Sequence, residues 1–159
     1  MAIHGITPFL WYERDAEEAA NFYVSLFDNS RITYMSHYGE SGPGPKGSVM
    51  VVAFELEGRP FMAMNAGPAH KLSEAFSLMV NCTEQADIDR LWEALGKGGS
   101  YNVCGWLKDR FGLSWQVNYA GWPDLMAGDP GKAERVMRAL MTMTKVNVQA
   151  LEAAPGTAP

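Results

Sequence analysis

Between Leu113 and Tyr119 the chain alternates strictly. Leu113, Trp115, Val117 and Tyr119 are large and mostly apolar, and Ser114, Gln116 and Asn118 between them carry a hydroxyl or an amide. A period of two puts the first set on one face of a strand and the second set on the other. Upstream, Cys104 to Lys108 is a short run rich in strand formers, and Asp109-Arg110-Phe111-Gly112 supplies a turn in which Gly112 is free to take positive φ. The segment therefore reads as a β-hairpin with one apolar and one amide-bearing face. The amide row is either the wet face of a sheet or, if the sheet curls, the lining of a pocket with Gln116 at its centre.

The rest of the chain supplies two similar halves. Ile3 to Tyr12 is a strand, and Asp15 with Glu18 three residues on forms a capping-box pattern before a helix reaching about Phe27. Arg31 to Tyr38 and Ser48 to Glu57 read as strands, with Pro60 to Asn65 returning after a turn at Glu57-Gly58-Arg59. Gly39 to Gly47 resembles a phosphate-binding loop in composition only, because no Lys-Thr ending or helix follows, and it reads as a mobile rim loop. A linker at Ala69 to Ser73 leads to a strand over Phe76 to Cys82. Thr83 then caps a helix whose stripe is Ile88, Leu91, Trp92 and Leu95, and Gly96 to Gly99 ends it before the hairpin. The organisation expected is a first β-α-β half over 1–68 and a second over 69–121. A helical extension over 122–154 follows, with Pro130 at a helix start, an edge strand at Lys145 to Val148 and a disordered tail over 155–159.

Charge and cysteine usage exclude several classes of function. A net charge of −5 without a basic run argues against nucleic acid and anionic lipid as partners. No apolar stretch approaches the roughly 20 residues of a membrane span. Cys82 and Cys104 show neither CxxC spacing nor a histidine pattern, which fits reduced, buried thiols in a cytoplasmic protein. His4, His37 and His70 are isolated, and Glu17 and Glu18 suit the first turn of a helix better than a catalytic pair. A reactive Cys104 thiolate would need a cation, for which only Lys108 or Arg110 is near in sequence, so an inert thiol is the simpler reading.

Several segments together resemble a known family. They are Phe9-Leu10-Trp11-Tyr12 with Ala16 to Tyr23, Phe61-Met62-Ala63-Met64-Asn65-Ala66-Gly67-Pro68, Val80-Asn81-Cys82, Cys104 to Gly112, and the Val136-Met137 helix. The chain resembles the PhnB-like branch of the vicinal oxygen chelate (glyoxalase, bleomycin resistance and dioxygenase) superfamily, often labelled 3-demethylubiquinone-9 3-methyltransferase. The resemblance implies an α+β fold of paired β-α-β units with curled mixed sheets. Metal-dependent members of the superfamily place His or Glu on the first and last strands of each half. The corresponding positions here are Pro8, Ser77, Gln116, and Met64 or Asn65, none an imidazole or carboxylate. The resemblance therefore implies a scaffold without the usual metal, and no cofactor is expected. A methyltransferase activity finds no support in a glycine-rich strand-to-helix turn with a following acidic residue.

Two functions remain open at this point. One is a metal-free homodimer that binds a small organic molecule, with Gln116, Ser77 and Asn65 as polar groups and Trp106 or Trp115 flooring the pocket. The other is an enzyme of the same superfamily using the same residues. Trp106 and Trp115 can instead pair across the hairpin as ordinary sheet stabilisation. The C-terminal helix and edge strand are expected to contribute to the dimer interface.

Overall fold

Each half of the chain builds a four-stranded mixed sheet and lays one helix across one of its faces. The computed structural model describes residues 5–156, and the chain divides between Leu72 and Ser73 into two compact units. The first contains β1 (Phe9–Tyr12), α1 (Ala16–Val24), β2 (Arg31–His37), β3 (Val49–Leu56) and β4 (Arg59–Asn65). Its strand order is β1-β4-β3-β2, with β1 parallel to β4 and the other pairs antiparallel. Alternation along the strands sends Leu10, Tyr12, Val52, Phe54, Phe61 and Ala63 inward, where Ala16, Ala19, Ala20 and Tyr23 of α1 are also buried. Phe54 and Phe61 stack at 5.5 Å.

The start of the expected first strand at residues 3–4 lies outside the described residues, and pairing begins only at Phe9. The Asp15 half of the capping box does not form. Asp15 stands at the N-cap without a side-chain bond to the helix, and Asn65 Oδ1 accepts the Ala16 N–H at 2.8 Å instead. The helix ends at Val24, three residues before Phe27.

The second unit contains β5 (Ser77–Cys82), α2 (Gln85–Gly96), β6 (Ser100–Tyr101), β7 (Trp106–Lys108) and β8 (Ser114–Tyr119). Its order, β5-β8-β7-β6, repeats that of the first sheet, again with one parallel pair, β5 with β8. Trp115, Val117, Leu107 and Cys82 are buried, as are Ile88, Leu91, Trp92 and Leu95 of α2, and Tyr101 stacks on Trp92 at 4.9 Å. Neither sheet closes on itself. The N-cap of α2 is Glu84 rather than Thr83. The result is an α+β protein of two β-α-β units.

After β8 come α3 (Trp122–Met126), α4 (Pro130–Met141), α5 (Val148–Ala153) and a 3-10 turn at Ala154–Gly156. Asp129 caps α4 by accepting from the N–H groups of Gly131 and Lys132, and Asn147 caps α5 through Ala150 N. The expected edge strand at Lys145 to Val148 does not form. That segment is instead pinned by Gln85, whose Nε2 donates to Val146 O and whose Oε1 accepts from Val148 N. Val136, Val146 and Leu151 are fully buried, so the extension spends its main apolar side chains within its own chain. Pro155 and Gly156 belong to the 3-10 turn, while 157–159 of the expected tail lie outside the described residues.

Candidate functional site

The hairpin forms with a tight connection between β7 and β8. Gly112 takes φ 88°, and its N–H donates to Asp109 O at 3.0 Å. Strand β7 starts at Trp106 rather than Cys104, because Cys104 and Gly105 both take positive φ (58° and 79°) and turn their N–H groups to the carbonyls of Met143 and Thr144. A Cβ on Gly105 would stand 2.6 Å from Val117 O, so only glycine fits this crossing.

Register assigns the faces. Across β7 and β8, Trp106 pairs with Gln116, Leu107 with Trp115, and Lys108 with Ser114. Across β5 and β8, Ser77 pairs with Ser114, Met79 with Gln116, and Asn81 with Asn118. One face of the second sheet thus presents Ser77, Met79, Ser114, Gln116, Trp106 and Lys108, and the other packs into the core. Trp106 and Trp115 point to opposite faces and do not pair.

Trp115 accordingly leaves the expected site. It is 1% exposed, and its Nε1–H donates to Asp109 Oδ2 at 2.8 Å. Asn65 leaves it too. Its amide is consumed at both ends, Oδ1 by the cap of α1 and Nδ2 by Val49 O at 3.1 Å, and it pairs with Tyr12 on the helix-facing side of β4. Met64, the alternative at that position, pairs with Trp11 and so lies on the face that alternates with the core residues Leu10 and Tyr12. Pro8 precedes β1, and its carbonyl accepts from Met62 N.

Ser77 and Gln116 are brought together: the Gln116 Nε2–H donates to Ser77 Oγ at 2.9 Å. Both are half-buried, as is Trp106 beside Gln116, and Met79 on the other side is 53% exposed. Ser114 sits beside Ser77 at 2% exposure, and its Oγ is buried with no hydrogen-bond partner among the described residues. Such a hydroxyl costs about 1–3 kcal/mol when left unpaired. Lys108 is paired with Glu74, and this bond to the ammonium holds the Glu74 carboxyl below its ordinary range.

Two contributors, Glu74 and Met79, were not legible as site residues. Alternation puts Ser114 on this row, but its burial depends on its neighbours in the sheet. Glu74 lies in a segment that reads as linker, and only the fold brings it to Lys108. Met79 is ambiguous because a methionine on a strand suits either face. Among the described residues no three His, Cys, Asp or Glu side chains gather as metal ligands would. Burial pushes the Cys82 thiol up to about 11, while Cys104 lies 3.7 Å from Met141 Sδ and 3.6 Å from Leu140 O. No described helix is long and apolar enough to cross a membrane.

Two β-α-β units, each with an open mixed sheet and a helix on one face, define a protein of the vicinal oxygen chelate class. Within it, residues 4–118 match the model of the family described as 3-demethylubiquinone-9 3-methyltransferase, and the chain belongs to that family. The PhnB protein of Bacillus cereus, which bears the same family description, is 39% identical, with a TM-score of 0.68 over 74% of this chain and 100% of that one. A Pseudomonas aeruginosa protein is 25% identical, with a TM-score of 0.62 over 74% of this chain and 98% of that one. The fosfomycin resistance protein FosX of Mesorhizobium loti shares the fold, at 20% identity and a TM-score of 0.51 over 76% of this chain and 94% of that one. No curated protein matches the chain. The family match ends at Asn118, so α3 to α5 lie beyond it.

Proposed function

We propose that this protein is a metal-free binder of a small organic molecule and that the ligand sits on the open face of the second sheet, over Gln116, Ser77 and Trp106. The observation that carries this reading is the Gln116–Ser77 hydrogen bond on a half-buried row, beside an indole and an exposed thioether. A sheet face that only met water would not bury a serine hydroxyl without a partner, as Ser114 is buried here. Ligand sites are mostly apolar with a few placed polar groups, and this face has that make-up.

The residue types argue for binding without a metal. Pro8, Ser77, Gln116 and Met64 stand where superfamily enzymes carry imidazole or carboxylate, and neutral hydroxyl and amide groups are poor ligands for divalent transition metals. The family description names a methyl transfer to 3-demethylubiquinone, but this chain lacks the glycine-rich strand-to-helix turn of a cofactor-binding Rossmann-like domain. Among the described residues, no histidine and no carboxylate other than ion-paired Glu74 belongs to the face for general acid–base work. Assembly as a homodimer is part of the same reading. Its support is the pair of open sheets, whose edges need cover, together with the exposed Met137 and Met141 of α4.

Native mass spectrometry of untagged protein from its host tests the reading. Wild type should retain a small molecule that Gln116→Leu loses while remaining folded. Equal retention by both would remove Gln116 from the site.

A further inference from the structure

The polar groups on the open face of the second sheet form a donor–acceptor pair with unused capacity. Gln116 spends one Nε2–H on Ser77 Oγ, and its Oε1 has no partner among the described residues. Ser77 accepts that bond, and its own hydroxyl proton is not donated to any described group. A ligand therefore meets one free acceptor, Gln116 Oε1, and one free donor, Ser77 Oγ–H, one hydrogen bond apart. Ser114, next to Ser77 in the parallel register, has a buried hydroxyl with no partner among the described residues. Trp106, paired with Gln116 across β7 and β8, places an indole beside these groups.

Charge on this face is already balanced. Lys108 is the cation on it among the described residues, and the carboxylate of Glu74 is bonded to it. An anionic ligand would have to displace Glu74, and a cationic one would meet a carboxylate already occupied. The complement of the face is thus neutral, with an N–H donor and a C=O acceptor side by side on a flat ring.

We propose that the ligand is an uncharged planar lactam or cyclic amide, held with its N–H on Gln116 Oε1 and its carbonyl on Ser77 Oγ–H, and that Glu74 excludes anions by occupying Lys108. This rests on the binding reading above and names the chemical class of its ligand. The lactam edge matches both free groups at once, whereas a carboxylate would place an anionic oxygen against the Gln116 carbonyl oxygen. The flat ring matches Trp106, against which aromatic faces stack favourably.

Three probes of similar size separate the possibilities: 2-quinolone, N-methyl-2-quinolone and quinoline-2-carboxylate. Each is titrated into the full-length protein while the Trp106 indole and Gln116 side-chain amide signals are followed by NMR. The quinolone should bind, N-methylation should weaken it by about tenfold or more, and the carboxylate should bind more weakly than the quinolone. Ser77→Ala should weaken the quinolone, and Glu74→Gln should strengthen the carboxylate relative to the quinolone. Tighter binding of the carboxylate to wild type, or no effect of N-methylation, would overturn the ligand class while leaving the site standing. No response of Trp106 and Gln116 to any probe would overturn the binding reading itself.

Discussion

Trp115 donates its indole N–H to Asp109 Oδ2 at 2.8 Å, in the core of the second unit. The other oxygen of the same carboxylate accepts from the backbone N–H groups of Phe111 and Leu113, at 2.9 and 3.0 Å. Asp109 is 3% exposed, and with these bonds a buried carboxylate organises the turn that sets the register of β7 against β8. That register decides which residues accompany Gln116 on the open face. Asp109→Ala should destabilise the protein by about 3 kcal/mol or more, since it removes a buried acceptor shared by three donors, two of them in buried bonds. Asp109→Asn should recover little, because its NH2 would face a donor. Urea denaturation of both variants checks this, and a loss below about 1 kcal/mol for Asp109→Ala would contradict it.

Asn65 joins three segments of the first unit through one side chain and its own carbonyl. It caps α1 at Ala16, donates to Val49 O on β3, and accepts the Tyr38 hydroxyl at its backbone oxygen. Asn65→Ala should cost about 1–3 kcal/mol, from the lost cap and the orphaned Val49 carbonyl. Asn65→Asp should recover the cap but not the bond to Val49. A denaturation series that ranked Asp below Ala would contradict this account.

Ser114 carries a buried hydroxyl that has no hydrogen-bond partner among the described residues. Ser114→Ala should leave the unliganded protein as stable as wild type or stabilise it by about 1 kcal/mol. Most polar-to-alanine changes in a core go the other way, so a clear drop in melting temperature would reveal a partner for Ser114.

The C-terminal extension is held at Asp89 by Lys145, and bonds from Lys145 and then Gln85 hold the Asp89 carboxyl below its ordinary pKa. A carboxylate with a depressed folded-state pKa adds stability that is full above its unfolded value and is lost as pH falls through its folded value. Asp89→Asn should therefore be less stable than wild type at neutral pH, with the gap closing on acidification through and below the usual carboxylate range. Thermal melts across pH check this, and a gap that persists or widens in acid would contradict it.

How far this could be read from residues alone depended on the range of the interactions. The hairpin was legible because Leu113 to Tyr119 alternates without a break and Gly112 marks the turn. The same alternation put Trp115 opposite Gln116, so its place in the core follows from parity, but the buried acceptor that fixes its indole did not. Trp106 was undecided because its face depends on the register across the turn. Strand β6 was missed because two residues carry no periodicity. Asp15 takes the N-cap position that its local pattern implies, but the side-chain acceptor for Ala16 N–H comes from Asn65, 49 residues away, which no local pattern reveals. The Lys145 to Val148 segment has strand-like composition, but Gln85 ties its backbone to α2 instead.

The central claim is that the open face around Gln116, Ser77 and Trp106 receives a small organic molecule. Its most direct measurement is NMR mapping of the retained molecule, extracted from the purified protein and returned to stripped, isotope-labelled protein. The largest shifts should fall on the Gln116 side-chain amide, the Ser77 backbone and the Trp106 indole, while the buried Trp115 indole stays still. Shifts confined to the first unit or to α4, with Gln116 and Trp106 unmoved, would contradict the account.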